Sequence, residues 1–356
     1  MKKQSLLTIA AVLTLAAAFT FAGCSDKDQS AKRPGVVEQV VDTFADKLAD
    51  NLVNARLANA TAEDTASAVA VDSQTDLTGV SDMIILGSKI YAVHSKGVVI
   101  HDLADNSTTN LLSGSRLNAI AYYDGKIYVG GDKLYVLDGI NFKPVDMQFE
   151  GTIYALAPTN ASLLIGTDLG LYTHGIFGND ILMDQVSVSA IVPDSEGVWI
   201  GTFGQGLYRW DGANFKKRYL FRDPCLFDFV NALDFNYGHL YVGTDSGLFI
   251  FDGGAWETLT TGEGLPSNSI KSIDASGWVV LIATDSGVTS YFNGDVMPVK
   301  RLSSTPANVV KRLDQRIIAG TQKEGILMKS GPVLKTLVNP DNPDDSTRVD
   351  IFSLSF

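Results

Sequence analysis

The four histidines of this 356-residue sequence are the side chains best suited to metal binding or acid–base catalysis. No two have the spacing of ligands that share one metal ion, and no serine lies in a Gly-x-Ser-x-Gly motif. The run Gly201-Thr-Phe-Gly-Gln-Gly206 is glycine-rich, but no helix pattern follows it, so we interpret it as a hairpin and not as a phosphate loop. The histidines are His94, His101, His174 and His239. We therefore expect a protein that is not an enzyme and that uses no metal or other cofactor.

A different chemistry is indicated at Cys24. Lys2 and Lys3 precede an uncharged, apolar stretch over residues 6–22, which ends in Gly23-Cys24. A basic start, an apolar core and small residues at the end predict a secretory signal peptide over residues 1–23. Small residues directly before a cysteine resemble a lipobox, in which the thiol is acylated and the chain is cut just before it. The alternative is an uncleaved membrane anchor, because the apolar stretch is nearly long enough to span a bilayer.

Acyl chains on Cys24 would hold the protein stably on a membrane, since each buried methylene contributes about 0.8 kcal/mol. Ser25, in place of an aspartate at that position, favours transfer to the outer membrane. We expect a cell-envelope location, either on the periplasmic face or at the cell surface. Cys225 is the other cysteine, and we expect a buried, inert thiol there instead of a disulfide with Cys24.

The charge of the chain excludes some classes of partner. Removing Lys2 and Lys3 with the signal peptide takes the net charge from −12 to −14. An acidic surface argues against nucleic acid and against anionic lipid headgroups, and it favours cationic partners.

The segment over residues 24–78 is predicted to contain a polar tether, an amphipathic helix and a linker. Apolar residues recur at three- and four-residue steps over residues 36–59, which is helical spacing with one apolar face. We expect this helix to pack against the following domain. The alternative is a helix that docks a partner.

From residue 79 onward the sequence repeats itself. The clearest unit begins at Ser187, continues through Gly197-Val-Trp-Ile-Gly-Thr and Gly206-Leu-Tyr-Arg-Trp-Asp-Gly, and contains four short alternating runs separated by turn residues. Seven such units are spaced by 35 to 42 residues, which is the period of propeller blades. We predict an all-β β-propeller of four-stranded antiparallel blades over residues 79–356. Seven blades are expected and eight are the alternative. The strand-like run over residues 349–356 is expected to join the sheet and to help close the ring.

Repeated residues occupy the turn after the second strand of each unit. A glycine commonly precedes the end of that strand, and we expect it to keep the chain slim where backbones crowd near the axis. Asp168, Asp245 and Asp285 occupy equivalent turns and would ring one mouth of the channel. They could form a cation site, but we expect them to stabilise the turns by accepting backbone N–H groups.

The longest connection between repeats, over residues 218–229, is the candidate for partner binding. It combines arginines with aromatic residues, as interface anchors do. The alternative is a loop folded over the channel with its aromatic side chains buried. The residues that we expect to bind a partner are Arg218, Tyr219, Phe221, Arg222 and Phe227.

Two of the repeats resemble a known family. Trp256-Glu-Thr, Gly264-Leu-Pro-Ser-Asn-Ser-Ile270 and the Val-Trp-Ile-Gly-Thr run at residue 198 look like the two-component regulator propeller repeat. In that family such repeats form periplasmic sensor propellers in front of a membrane helix and a histidine kinase. The resemblance implies the propeller fold and a platform for binding a ligand or partner. No kinase or second membrane helix follows the repeats here, so a signalling output is not implied.

These observations favour a lipid-anchored propeller that acts as a scaffold for another envelope protein. The first alternative is a sensor propeller that binds a small ligand in its channel and reports to a separate signalling protein. The second is a propeller hydrolase or lyase, which would need clustered histidines and acids.

Overall fold

The computed structural model describes residues 79–175, 178–219, 228–338 and 349–350. The expectations for the signal peptide, the lipid on Cys24, the helix over residues 36–59 and the thiol of Cys225 concern positions outside the described residues. Antiparallel β-strands make up nearly all of the regular structure in the described part, together with one 3-10 turn at Thr261–Glu263.

The first four blades are each a meander of four consecutive strands. Blade 1 contains β1 (Val80–Leu86), β2 (Lys89–His94), β3 (Gly97–Asp102) and β4 (Thr108–Leu111). Blade 2 contains β5 (Leu117–Tyr123), β6 (Lys126–Gly131), β7 (Leu134–Asp138) and β8 (Asn141–Pro144). Blade 3 contains β9 (Ile153–Pro158), β10 (Ser162–Thr167), β11 (Gly170–Gly175) and β12 (Gly178–Asp184). Blade 4 contains β13 (Val188–Asp194), β14 (Gly197–Gly204), β15 (Leu207–Trp210) and β16 (Phe215–Tyr219).

The remaining blades follow the same plan. Blade 5 contains β17 (Asp228–Asn236), β18 (His239–Thr244), β19 (Gly247–Phe251) and β20 (Trp256–Leu259). Blade 6 contains β21 (Ile270–Asp274), β22 (Val280–Thr284), β23 (Val288–Phe292) and β24 (Asp295–Pro298). Blade 7 contains β25 (Ala307–Leu313), β26 (Arg316–Thr321), β27 (Ile326–Ser330) and β28 (Val333–Val338), and β29 (Val349–Asp350) pairs with β28.

Hydrophobic packing between the blades closes the ring. The described residues form seven buried clusters, and each cluster combines two neighbouring blades. The decisive cluster joins the last blade to the first, because Val80, Met83 and Ile90 of blade 1 pack with Val309 and Ile318 of blade 7. A meander sheet cannot bury both of its faces alone, and stacking on two neighbours covers them. The prediction of an all-β propeller is confirmed, and the ring has seven blades.

Glycines next to the end of the second strand have a different role from the predicted one. A Cβ atom on Gly130 would lie 2.5 Å from Ile153 Cγ2, and one on Gly243 would lie 2.5 Å from Ile270 Cγ2. Ile153 and Ile270 open the next blade, so these glycines make room for a neighbouring blade and not for the axis. The prediction that they relieve crowding at the axis is therefore wrong.

Of the predicted final strand over residues 349–356, the structure describes Val349 and Asp350. Val349 and Asp350 pair with Lys335 and Leu334 on the outermost strand of blade 7. These two residues extend the sheet, as expected, but they lie at its outer edge and do not close the ring. Closure depends on contacts between blade 7 and β1.

Backbone pairing, in addition to side-chain packing, joins blades 4 and 5. The end of β14 pairs with the start of β17 through Phe203↔Phe229 and Gly204↔Asp228, so the two blades share one continuous ladder. In the run Gly201-Thr-Phe-Gly-Gln-Gly206 the first four residues end β14 and the last two lead into β15, which pairs with β14, so its interpretation as a hairpin is confirmed.

Candidate functional site

The equivalent turns that carry Asp168, Asp245 and Asp285 are stabilised by buried threonines. Thr244 Oγ1 donates to Gly247 O at 3.0 Å and accepts from Ser246 N at 2.9 Å. The same Oγ1-to-glycine bond recurs in four other blades, from Thr167, Thr202, Thr284 and Thr321. A buried hydroxyl that both donates and accepts in this way fixes the hairpin.

The three aspartates each bond to groups near their own turn. Asp168 Oδ1 accepts from Thr152 N at 2.7 Å, and Asp285 Oδ1 accepts from Ser286 Oγ at 3.1 Å. Asp245 Oδ1 accepts from Asn231 Nδ2 at 2.8 Å and from Ser269 Oγ at 2.9 Å. Within the described part of the chain, no three His, Cys, Asp or Glu side chains converge to hold a metal ion.

His94 and His101 lie in blade 1, whereas His174 lies in blade 3 and His239 in blade 5. His101 is buried, its Nδ1 lies 3.0 Å from Thr108 Oγ1, and burial lowers its pKa. His174 Nδ1 lies 2.8 Å from Asn179 Oδ1. His239 Nδ1 lies 3.1 Å from Tyr237 O. These contacts are local, and none brings two histidines together.

The connection proposed to bind a partner falls mostly outside the described residues. Phe221, Arg222 and Phe227 are not described, and Arg218 and Tyr219 are described only as backbone of β16. The structure therefore does not test this site.

The seven innermost strands surround an axial channel of about 220 Å³. Polar side chains at equivalent positions near the start of these strands donate to a carbonyl oxygen near the start of the next blade. Asn118 Nδ2 lies 2.9 Å from Ile153 O, and Asn231 Nδ2 lies 3.1 Å from Ile270 O. Ser189 donates to the carbonyl oxygen of Val230 in the same way. These polar side chains of the channel wall therefore form hydrogen bonds between neighbouring blades.

Charged groups also line or approach the channel. Lys271 and Lys311 are part of its wall, together with Asp82. Asp82 Oδ2 accepts from Ile120 N at 3.1 Å, and Asp234 Oδ2 accepts from Ala275 N at 2.7 Å. Burial raises the pKa of both carboxyls, against the attraction of Lys311, which lowers them.

A second cavity lies between blades 5 and 6, at the opposite end of β17 from the connection over residues 220–227. This aromatic cleft has a volume of about 300 Å³. Tyr237, from the turn between β17 and β18, stacks on Trp278, from the turn between β21 and β22, with ring centroids 4.6 Å apart and planes 15° apart. Both rings remain largely exposed, Tyr237 at 60% and Trp278 at 74%.

Tyr237 adopts an unusual backbone conformation. It occupies the left-handed region at φ 48°, followed by Gly238 at φ 80°, in a two-residue hairpin. Asparagine, aspartate and glycine favour such positions, and equivalent turns elsewhere in the ring carry Asp124 and Asp314. A bulky aromatic residue is less favourable there, so its presence points to a role for the ring.

The floor of the aromatic cleft combines aromatic and acidic groups. Tyr291 Oη donates to Glu257 Oε2 at 3.1 Å. Burial, and then this bond to Glu257, raises the pKa of Tyr291 to about 12. Asp252 Oδ1 accepts from Ala255 N at 2.7 Å and from Gly254 N at 2.8 Å, and these bonds lower its pKa. The cleft therefore presents negative charge beside aromatic faces.

The residues of this cleft are not among the site residues predicted from the sequence. A tryptophan in the polar turn Ala275-Ser-Gly-Trp278 was the available signal, because a large aromatic residue in a turn is rarely needed for a blade core.

Solved structures share this fold. Two structures of the extracellular domain of BT4673 from B. thetaiotaomicron, assigned in one to a one-component and in the other to a hybrid two-component system, are 20% and 19% identical, each with a TM-score of 0.59. They cover 72% and 73% of this chain, which spans only 38% and 39% of theirs. The WD40 propeller domain of Doa1 is 18% identical and has a TM-score of 0.59. The match covers 71% of this chain and 93% of that domain.

No protein-family model and no curated protein matches the chain. At these identities the similarity shows the propeller fold alone. Among the described residues, no helix has the length and apolar character needed to cross a membrane.

Proposed function

We propose that this protein is a lipid-anchored β-propeller that binds another protein of the cell envelope. The observation that carries the proposal is the exposed Tyr237–Trp278 stack on a closed ring. Aromatic residues of this kind are enriched among the anchors of protein interfaces. The ring supplies a rigid base, because its blades are held to one another by buried clusters and by hydrogen bonds between inner strands.

The location is proposed from the N-terminal sequence. Cys24 follows an apolar segment and a small residue, and its lipid would hold the propeller at the envelope, with Ser25 favouring the outer membrane. BT4673 has a propeller of this fold in an extracellular domain, which agrees with the same side of the membrane. In the parent chain a fatty-acid probe should label the protein and residue 24 should be its first residue, and Cys24→Ala should prevent the labelling. A parent chain that keeps residues 1–23 and takes up no label would contradict the lipid anchor.

The experiment for the binding function uses full-length protein recovered from its native envelope in mild detergent. We expect one envelope protein to be recovered in stoichiometric amount. Trp278→Ala tests the aromatic cleft, and the pair Arg222→Ala and Phe227→Ala tests the long connection. Tyr122→Ala is a matched control, because Tyr122 is an exposed tyrosine, at 47%, in blade 2. Recovery of no protein by a folded, lipidated chain would contradict the proposal.

A second candidate is a sensor propeller that binds a small anionic ligand in the channel. Lys271 and Lys311 favour it, since these two basic residues line a space of about 220 Å³. Replacing both lysines by methionine should abolish such binding without changing the recovery of a protein partner. An unchanged affinity for the ligand would exclude the channel as its site.

A further inference from the structure

The aromatic cleft between blades 5 and 6 has a one-sided charge. Asp252 and Glu257 line it, and no lysine or arginine is among its lining residues in the described part of the chain. Arg312 contacts Gly277 from blade 7, but its Nη2 donates to Val279 O at 2.5 Å and is held there. The chain as a whole carries a net charge of −12, so the local and overall charges favour a cation.

Glu257 retains capacity for a ligand. Among the described residues its hydrogen bond is the one from Tyr291 Oη to Oε2, so Oε1 can accept another donor. An ammonium or guanidinium group beside this carboxylate would form a charge-assisted hydrogen bond.

The aromatic rings add a second attraction for a cation. The electron-rich face of a tryptophan or tyrosine attracts an ammonium or guanidinium group that lies over it. Trp278 remains 74% exposed although Tyr237 covers one of its faces. Phe292, the last residue of β23, is 39% exposed and adds a further aromatic ring to the lining of the cleft. An aliphatic stem could lie along these rings while its charged end reaches Glu257.

The openness of the cleft favours a macromolecular occupant. Sites for small molecules commonly enclose most of the ligand surface, whereas this cleft leaves the rings of Tyr237 and Trp278 largely in solvent. A partner protein would cover the rings with its own surface around the inserted side chain.

We propose that the aromatic cleft binds a lysine or arginine side chain of a partner protein, with the aromatic rings along its stem and Glu257 at its charged end. This inference rests on the proposed binding function and names the chemistry of the partner.

The test uses the full-length protein in detergent and three peptide probes that differ at one residue: acetyl-Gly-Lys-Gly-amide, its arginine equivalent and its glutamine equivalent. Tetramethylammonium chloride is the small-cation probe. Binding is followed by the NMR signal of the Trp278 indole N–H, which Trp278→Phe identifies. We expect the lysine or arginine peptide to shift this signal in a saturable way, and the glutamine peptide to leave it unchanged.

Two variants test whether the carboxylate of Glu257 binds the cationic side chain. Glu257→Gln keeps an acceptor for Tyr291 and should weaken the cationic peptide about tenfold. Glu324→Gln, at an exposed glutamate of blade 7, is the matched control and should leave the affinity unchanged. Equal binding of the glutamine peptide, tighter binding of tetramethylammonium than of either cationic peptide, or an unaffected Glu257→Gln variant would each overturn the inference.

Failure of this inference is distinguishable from failure of the proposed function. If native envelopes yield a partner that Trp278→Ala still recovers, the protein binds a partner through another surface and only the cleft assignment is wrong. If no partner is recovered in any experiment, the proposed function itself is wrong.

Discussion

The side-chain amide of Asn308 donates to the carbonyl oxygen of Val80 at 3.1 Å, across 228 residues of sequence. Asn308 lies in the first strand of blade 7, and Val80 opens the first strand of blade 1. Equivalent bonds join the interior blades, from Asn118 to Ile153 and from Asn231 to Ile270. The closing seam, where blade 7 meets blade 1, therefore has the same type of hydrogen bond as the contacts between blades that are consecutive in the sequence.

Asn308→Ala should lower the free energy of unfolding by about 1–3 kcal/mol, because it removes the side-chain donor to the carbonyl oxygen of Val80, a fully buried residue. Amide hydrogen exchange should become faster in β1 and β25. Asn118→Ala is the matched control: a similar loss of stability is expected, with faster exchange in β5 and β9. Unchanged exchange in β1 of Asn308→Ala would show that this bond does not hold the closing seam.

Gly320→Ala should also weaken the closing seam. The added Cβ would lie 2.5 Å from Val309 Cγ1 and 2.6 Å from Val80 Cγ1, so the two blades would have to separate slightly. Overpacking of this kind costs about 1–3 kcal/mol, which chemical denaturation can measure.

Gly254→Ala is the control for Gly320→Ala, because its nearest neighbour would be Asp252 Oδ1 at 3.6 Å, and a change within about 0.5 kcal/mol is expected. Adding Val80→Ala to Gly320→Ala should restore part of the lost packing, so the double variant should lose less than the sum of the single changes. A strictly additive result would argue against direct contact.

The ion pair of Asp194 and Arg209 is predicted to be essential to blade 4. Arg209 Nη2 lies 2.6 Å from Asp194 Oδ1, with side-chain exposures of 11% and 5%, and Trp199 Nε1 donates to Asp194 Oδ2 at 2.9 Å. Asp194→Ala should cost about 3–5 kcal/mol, because it leaves a buried guanidinium without its counter-charge.

Arg209→Leu combined with Asp194→Ala should be less destabilised than Asp194→Ala alone, since no charge is then left buried. Denaturant unfolding followed by tryptophan fluorescence compares these two variants with the parent chain. A double variant with a lower free energy of unfolding than Asp194→Ala would mean that the pair contributes chiefly by packing.

Alkaline pH should reveal the contact between Tyr291 and Glu257. The pKa of Tyr291 is raised to about 12 in the folded protein, against about 10 for an unfolded chain. The unfolded state therefore loses this proton first, and the stability due to Tyr291 is complete below about pH 10 and is lost as the pH rises towards 12. Tyr291→Phe should show a shallower loss of stability over this range than the parent chain.

Glu257→Gln should lower the pKa of Tyr291, because the carboxylate opposes formation of the phenolate. Ultraviolet titration of phenolate, compared with Tyr291→Phe, isolates the signal of this residue, and Tyr122→Phe controls for the loss of an exposed phenol. A titration curve of Tyr291 that does not move in Glu257→Gln would exclude the proposed coupling.

The blade pattern could be predicted from the sequence because it is local. Each blade folds from consecutive residues, and repeated turn residues such as Gly247 and Gly287, both at positive φ, mark the same hairpin in successive repeats. The spacing of the repeats then gave the number of blades. The role of Gly130 or Gly320 could not be predicted in the same way, because it depends on which side chain the next blade places against it.

The aromatic cleft was missed for a related reason. Tyr237 and Trp278 lie in equivalent turns of successive blades, and only the angle between the blades brings their rings together. The hydrogen bonds from Asn118, Asn231 and Asn308 left a detectable signal, since the three asparagines occupy equivalent positions near the start of an inner strand. The binding site was predicted at the long connection after β16 because arginines and aromatic residues are close together there in the sequence. Tyr237 and Trp278 are 41 residues apart, so the sequence does not show that they meet.

No strand is exchanged between the first and last blades: β1–β4 and β25–β28 are each contiguous, and side chains alone join them across the seam. The connections between successive blades join the last strand of one blade to the first strand of the next, as a linker from β28 to β1 would. The order of the blades around the axis does not depend on where the polypeptide starts. A circularly permuted chain that begins at β13, ends at β12 and carries a linker from β28 to β1 would build the same ring, with its termini moved from one side of the propeller to another.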